Sequence, residues 1–266
     1  MAQAGRVKRL AVAGATGLLG AQVVQIASAA GYEVVALSRS AGVDLTDPDA
    51  IGDRLDGVDA VIDVTRSPSM VEQEAVDFFT TVASNLGAAA RSASVRRTVV
   101  LSIVGIEESQ DFGWYVATLA HERATREHAP GTRVLRATQF HEFPGQVLER
   151  ARRGSRAQIM AMPTQPVASA EVAQLLFEMA TGPGQGDAEL AGPRQENVVD
   201  LVRRLVALRG DELEVEPVPA PASMDGGSVL PGPQALIKGM DWETWAQAAV
   251  ASRPSGGPTH TMRHLA

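Results

Sequence analysis

The chain contains no cysteine and, apart from Lys8 and Lys238, no lysine. The first absence excludes disulfides, thiol nucleophiles and cysteine metal sites. The second bears on the chemistry considered below. The five histidines show no paired metal-ligand spacing, so no metal is expected. Basic residues are outnumbered 24 to 31, for a net charge of −7. That balance argues against a nucleic-acid or anionic-membrane surface, and neither is an expected partner. The stretch from Leu10 to Tyr32 carries no charge and follows Arg6, Lys8 and Arg9, as a signal peptide or membrane span would. Its glycines, Thr16, Gln22, Gln25 and Ser28 interrupt the apolar run, so a cytoplasmic protein is expected instead.

What is present is enough for a core. The chain has 266 residues, 45% of them hydrophobic, sufficient for one large α/β domain or a domain with a small lobe. The rest of the sequence is organised around Gly14-Ala15-Thr16-Gly17-Leu18-Leu19-Gly20. A short apolar run precedes it and an Ala/Val/Ile-rich segment of helical spacing follows, which predicts a strand, a tight turn and a helix. In that setting Gly14 takes the turn's backbone angles. Gly17 lets a pyrophosphate approach the main chain, and Gly20 lets the helix sit close on the strand. The free N–H groups at the helix start, with its dipole, then hold the phosphates.

The second strand, Glu33–Arg39, ends in Leu37-Ser38-Arg39 with no carboxylate. An acidic residue there would bond the 2′-hydroxyl of NAD, whereas Ser38 and Arg39 suit the 2′-phosphate of NADP, so NADP(H) is the expected cofactor. A solvated surface arginine is the alternative. Asp44 and Leu45 are placed to flank the adenine, and Thr46 or Asp47 to cap the next helix. Further strands are expected at 58–65, 97–102 and 133–137, with a long helix over 70–90 between the first two. Alternation of this kind predicts a doubly wound parallel sheet. Ligands bind at the carboxyl ends of such strands, where Gly14, Arg39, Val64, Thr65, Ser102 and Thr138 fall.

Beyond residue 145 the pattern loosens. Helices are expected at 146–153, from Ser169 to about 180, at 195–208 and from Asp241, and short strands at 158–162 and 189–192. Residues 216–233, rich in Pro, Gly and Ser, read as a loop, and the tail from 253 as disordered. The expected division is a Rossmann core over 1–145, a smaller C-terminal substrate lobe over 146–252, and a tail over 253–266. Trp242 and Trp245 are expected to anchor the last helix in the core.

The sequence resembles an atypical short-chain dehydrogenase/reductase of the NmrA-like NAD(P)-binding kind. The likeness rests on the glycine motif, Ser38-Arg39, Leu101-Ser102-Ile103-Val104-Gly105 and Arg136-Ala137-Thr138-Gln139-Phe140-His141-Glu142. Pro166-Val167-Ala168 and Ala191-Gly192-Pro193 extend it. The resemblance implies a serine at the end of the fourth strand and a Tyr-x-x-x-Lys pair on the next helix. There the tyrosine passes a proton to the substrate oxygen, the lysine lowers the tyrosine pKa, and the serine bonds the developing alkoxide. Ser102 matches the serine. Aligned with relatives, however, the tyrosine position is Trp114 and the lysine position Thr118. A shift by one restores Tyr115 but places Leu119 at the lysine.

Three readings follow. Tyr115 and Ser102 act with His141 or water supplying the proton; or cofactor binding survives without redox chemistry, as in a sensor; or the pocket runs a non-redox reaction. The favoured one is an NADP(H)-dependent reductase of a small, largely apolar carbonyl or quinone-like compound, with Phe140, Phe143, Met160 and Met162 lining its pocket. A homodimer is left open. Without the lysine, alcohol oxidation should be slow at neutral pH and rise toward about pH 10, the ordinary phenol pKa.

Overall fold

The computed structural model describes residues 8–184 and 186–251; the expected disordered tail lies outside them. Strands β1 (Arg9–Ala13), β2 (Glu33–Leu37), β3 (Ala60–Asp63), β4 (Thr98–Ile103) and β5 (Thr132–Ala137) alternate with helices. These are α1 (Leu18–Ala29), a short α2 (Pro48–Ile51), α3 (Glu72–Ser92) and α4 (Gly113–His128). There follow α5 (Phe143–Ala151), β6 (Arg152–Arg153), β7 (Arg156–Ala161), β8 (Pro163–Thr164), α6 (Ser169–Thr181) and β9 (Ala188–Ala191). The chain continues through β10 (Glu196–Asn197), α7 (Val198–Arg209), β11 (Glu214–Pro219), α8 (Ala222–Asp225), β12 (Leu236–Ile237) and α9 (Trp242–Ala251).

Seven strands form the central sheet in the order β12-β9-β5-β4-β3-β1-β2, and every pairing is parallel. Parallel strands are covered on both faces and so read as continuous apolar runs. Leu10 to Ala13 are all fully buried, as are Val61 and Ile62. One face carries α1 and α6, whose Leu19, Val23, Val172, Leu176 and Met179 pack with Leu10, Val12, Ile62 and Leu135. The other carries α3, whose Val82, Leu86 and Ala90 pack with Ala11, Ala13, Val61, Ile51 and Leu55. Helix α4 packs beside α3, with Ala117 against Ala75 and Phe79.

The order places β1 between β2 and β3. The chain steps outward from β1 to β2, then crosses back to β3. The crevice between the carboxyl ends of β1 and β3 is therefore the topological switch point, where open α/β sheets bind ligands.

The segment after 145 does two things. Helix α6 and strands β9 and β12 complete the central sheet and its cover. The remainder builds a lobe in which β11-β7-β6 form a small sheet. There α5, α7 and α9 bury Leu148, Val202, Leu205, Trp242 and Ala246 with Ile159 and Met162. The expected loop over 216–233 is corrected here, because Glu214–Pro219 is a strand running parallel to β7 and Ala222–Asp225 a helical turn. Its prolines, Pro217 and Pro219, suggested a loop. β11 pairs on one side only, and an edge strand tolerates a residue that cannot donate outward. Trp242, 1% exposed, anchors the last helix as expected.

Candidate functional site

The turn between β1 and α1 requires glycine for three different reasons. Gly14 has φ +80°, and a Cβ there would lie 2.8 Å from Val64 O. At Gly20 a Cβ would lie 2.0 Å from Gly14 O, so α1 can approach the turn only without one. Gly17 is different. Its φ of −73° and ψ of 173° are open to any residue, and a Cβ would meet nothing closer than Gly14 O at 3.3 Å. The protein's own packing does not demand this glycine, and its absence of a side chain leaves the turn open to a group approaching from outside. Gly17 is also the N-cap of α1, with no side-chain cap and no acidic residue in the first turn. The first N–H groups of α1, at Leu18 and Leu19, are thus open to an anion. Leu18 is 46% exposed, whereas the Leu19 side chain packs into the core, so Leu19 offers only its backbone.

Next to this turn lies a cluster of hydroxyls. Ser38 Oγ is 3.1 Å from Ser40 Oγ, and Ser40 Oγ donates to Thr16 Oγ1 at 3.2 Å. Arg39 opens the helical turn Arg39–Ala41, is exposed, and among the described residues makes no side-chain hydrogen bond or ion pair. Asp44 Oδ1 accepts from Thr46 N at 3.0 Å and Thr46 Oγ1 at 2.7 Å. Those two bonds, the side-chain one foremost, hold the carboxyl below its usual range. Leu45 is 7% exposed and packs into the core, while its carbonyl accepts from Asn85 Nδ2 at 3.1 Å. Asp47 is the residue that caps α2.

At the end of β3 a feature appears that the sequence reading missed. Asp63, 1% exposed, accepts through Oδ1 from Thr65 N at 2.9 Å and Thr65 Oγ1 at 2.7 Å. Its Oδ2 lies 2.9 Å from His121 Nε2 of α4, and the His121 ring stacks on Phe79 at 4.6 Å. Burial alone would raise the Asp63 pKa; His121 and the Thr65 bonds outweigh it and hold the carboxyl low. The pair sets the path of Val64 and Thr65 along the crevice. The carboxylate that closes an otherwise apolar strand, Ala60-Val61-Ile62-Asp63, was the available signal.

At the ends of β4 and β5, Ser102 is 3% exposed, and its Oγ has no well-aligned hydrogen bond. It faces Glu122, which Arg136 grips through Nη2 at 2.8 Å and Nε at 3.2 Å. Burial pushes Glu122 up, but Arg136 and Ser102 together hold it low. Thr138 Oγ1 donates to Gln165 O at 2.6 Å, so its hydroxyl proton is committed to the fold.

Tyr115 and Trp114 face different ways. Trp114 packs on Phe79 of α3, ring centroids 5.7 Å apart, and the Arg66 guanidinium lies 5.8 Å over its ring. Thr118, at the lysine position, turns its hydroxyl onto Trp114 O at 2.8 Å. Tyr115 is buried with Leu119, Leu148 and Met162. Its phenol oxygen accepts from Gln139 Nε2 at 3.1 Å, and Gln139 Oε1 in turn accepts from Thr164 Oγ1 at 2.7 Å. Gln139 donates, so the phenol's own proton stays free for another acceptor. Burial pushes the phenol up to about 12, against the smaller opposing pull of Gln139. The rise of alcohol oxidation expected toward pH 10 therefore moves out of the working range. In a Tyr32→Phe variant, where Tyr115 is the remaining tyrosine, phenolate absorbance should stay absent at pH 10; a midpoint near 10 would contradict this burial.

His141 is not joined to Tyr115 or Ser102 by any hydrogen bond. It is 1% exposed, its Nε2 is 3.0 Å from Met240 O, and its carbonyl accepts from Trp242 Nε1 at 3.0 Å. Burial lowers its pKa. It ties the loop after β5 to the start of α9. Of the expected pocket residues, Phe140 packs with the central core and Met162 is buried in the lobe. Phe143 stays partly exposed and packs on the lobe cluster that contains Tyr115, and Met160 is half-buried. A cavity of about 440 Å³ opens at the opposite, amino end of the strands among Lys8, Arg9, Arg96 and Arg97. Its Arg97 caps the carboxyl end of α6 through Met179 O, Ala180 O and Gly182 O, a structural use. Among the described residues no group of three His, Asp or Glu could hold a metal, and no helix is long and apolar enough to cross a membrane.

Fold and crevice together define a dinucleotide-binding α/β protein. A family model described as NAD(P)H-binding matches residues 14–183. The chain belongs to that NAD(P)H-binding family. No curated protein matches it in sequence. Among solved structures it is similar to a triphenylmethane reductase of Citrobacter sp. complexed with NADP(H), at 19% identity and TM-score 0.63, over 84% of this chain and 92% of that one. It is similar to a dTDP-4-dehydrorhamnose reductase of Bacillus anthracis in complex with NADP, at 12% identity and TM-score 0.68, over 92% and 100%. It is also similar to MoeE5 in complex with UDP-glucose and NAD, at 19% identity and TM-score 0.63, over 80% and 85%. At these identities the likeness is one of fold.

Proposed function

We propose that the chain is a cytoplasmic, NmrA-like, NADPH-dependent reductase of a small carbonyl or quinone-like compound that works without a Tyr-x-x-x-Lys pair. What supports this reading is an uncapped helix start beside a cluster of hydroxyls, at the carboxyl ends of the strands, and on α4 a buried phenol whose pKa is raised to about 12. Leu18 and Leu19 N–H hold the pyrophosphate, and Thr16, Ser38, Arg39 and Ser40 the 2′-phosphate. Asp44 flanks the adenine, Leu45 serving the core instead, and Val64 and Thr65, held by Asp63, line the crevice. Residues 1–145 supply most of this cradle, and the lobe within 146–252 forms the substrate wall.

Bound NADPH supplies a hydride. Tyr115 Oη then gives its proton to the substrate oxygen, and the phenolate left behind recovers one from water, which a pKa of about 12 makes easy. Ser102 Oγ, without a well-aligned partner, bonds the same oxygen. In the reductive direction the neutral phenol still has its proton to give, as a weaker acid than an ordinary tyrosine. An alcohol is oxidised slowly, because that direction needs the phenolate as base.

NADPH should bind at least about tenfold tighter than NADH by calorimetry, the worth of one charge-assisted contact, and Arg39→Ala should erase most of that gap. Equal affinities in the parent would remove the case for NADPH. Single-turnover NADPH consumption on a panel of quinones and ketones tests the chemistry. Tyr115→Phe should lower the rate and leave NADPH affinity intact; an unchanged rate would dismiss the phenol as acid. Ser102→Ala should do the same if Ser102 touches substrate, and only lower stability if it serves Glu122.

A second reading, an NADPH sensor that docks a protein, is favoured by one observation. Leu236, Ile237 and Met240, at and just beyond edge strand β12, are 40%, 51% and 50% exposed. Tight NADPH binding with no compound reduced is its signature.

A further inference from the structure

Four residues after Tyr115 stands Leu119 rather than a lysine, yet the phenol oxygen is not alone. Gln139, the second residue beyond β5, is half-buried and brings Nε2 to 3.1 Å from Tyr115 Oη. Its Oε1 lies 2.7 Å from Thr164 Oγ1. The two lengths say which way the amide points. A separation of 2.7 Å is usual for a hydroxyl donating to a carbonyl oxygen, and 3.1 Å falls in the range of an N–H on an oxygen. Thr164 therefore donates to Gln139, and Gln139 to the phenol. Among the described residues Tyr115 Oη makes no other hydrogen bond, which leaves its proton for a group from outside.

One short segment, residues 162–167, holds this chain of donors in place. Val167 N donates to Gln139 O at 2.9 Å, and Thr138 Oγ1 to Gln165 O at 2.6 Å, so the backbone around Gln139 is seated on it. Thr164, 1% exposed, ends β8 and is paired with Glu196 of β10. Met162 packs in the same cluster as the Tyr115 ring. A buried hydroxyl keeps a partner for its proton. Rotating the amide to turn Oε1 onto the phenol would face Thr164 with an N–H and strip the threonine proton of its acceptor.

We infer that Gln139 is a catalytic residue whose amide N–H stabilises the Tyr115 phenolate as the proton leaves, and that Thr164 is the positioning residue that fixes the amide. The inference rests on the reductase reading and supplies, with a neutral dipole, part of what a lysine would do. In this step the Tyr115 O–H bond breaks and an O–H bond forms on the substrate oxygen. The electron pair stays on Oη, and the Gln139 proton stays on its nitrogen. As charge develops on Oη, a neutral hydrogen bond becomes a charge-assisted one. The contact is then stronger after proton transfer than before it, which is the condition for lowering a barrier. An amide already locked by Thr164 makes that gain without reorganising.

Titration and kinetics test this together. With Tyr32→Phe, Tyr115 is the remaining tyrosine. Replacing it biosynthetically with a fluorinated tyrosine, a more acidic phenol of nearly the same size, brings its ionisation within reach of absorbance. Gln139→Met keeps the side-chain length and loses the donor. It should raise the phenol midpoint by about one unit or more, because the donor favours the charged form. In the protein with ordinary tyrosine it should slow single-turnover NADPH consumption about tenfold or more and leave NADPH affinity unchanged. Thr164→Val should move midpoint and rate in the same directions by less, and Thr164→Ser, which keeps the hydroxyl, should restore most of each. An unchanged midpoint in Gln139→Met overturns the proposal, as does a raised midpoint with an unchanged rate. A lowered midpoint also overturns it, because the amide oxygen would then have been holding the phenol's proton. Thr164→Val matching the parent overturns the positioning role. If Gln139→Met does not fold, the near-isosteric Thr164 variants decide alone. The titration needs no turnover: a raised midpoint with no quinone or ketone reduced by the parent would refute the reductase reading and not the chain of donors.

Discussion

Gly17→Val folds like the parent and binds NADPH more than about a hundredfold more weakly, the loss of two charge-assisted hydrogen bonds at roughly 1.5 kcal/mol each. Gly20→Val does the opposite kind of damage and fails to reach the native fold. The contrast follows from what each missing Cβ would meet. At Gly20 it would sit 2.0 Å from Gly14 O. That overlap with backbone can be relieved only by moving α1 off the turn, at a cost of roughly 4 kcal/mol or more. At Gly17 the backbone angles suit valine, and the contact at 3.3 Å asks for a shift of a few tenths of an ångström. The valine methyls then stand over the first amides of α1, the proposed seat of the pyrophosphate. Thermal melts and NADPH titrations of both variants check this. A Gly17→Val protein that binds normally would place the cofactor elsewhere.

Arg136→Met destabilises the fold by about 3–5 kcal/mol at neutral pH, the range found when one partner of a buried ion pair is removed. The Glu122 side chain is 4% exposed. It keeps Arg126 at 3.4 Å but loses both bonds from Arg136. In the parent its pKa is held below the ordinary glutamate value. The pair's contribution is therefore complete above the ordinary glutamate range and is lost as pH falls through the lowered folded value. In the variant, burial is no longer outweighed and the folded pKa rises. The difference between the two proteins is then greatest at neutral pH and narrows in acid, where Glu122 is protonated in both. Urea unfolding across pH measures it. A difference under about 1 kcal/mol at neutral pH would mean the pair is no better than a surface bridge.

Much of this molecule is legible in its sequence, for reasons that can be named. Strands buried on both faces have nowhere to put a charge, so Leu10–Ala13 and Ala60–Ile62 stand out as apolar runs. The glycine spacing reports a backbone that must be approached closely. What stays hidden is contact between distant positions. Asp63 and His121 are 58 residues apart, and each alone resembles a strand-end acid or a helix histidine. His141 reads as an acid–base candidate until α9 closes over it. The direction of Tyr115 was equally invisible: adjacent helix residues differ by about 100°, so Trp114 and Tyr115 serve different faces. Proline at 217 and 219 argued for a loop because edge position, which excuses it, is a property of the sheet.

A crystal structure of the NADPH complex should show the cofactor across the β1/β3 crevice. Its pyrophosphate should lie on the Leu18 and Leu19 amides, directly over Gly17, and its 2′-phosphate within hydrogen-bond distance of Ser38 and Arg39. NADPH bound at the opposite, amino end of the strands, or in the crevice with its 2′-phosphate in solvent, would contradict this placement.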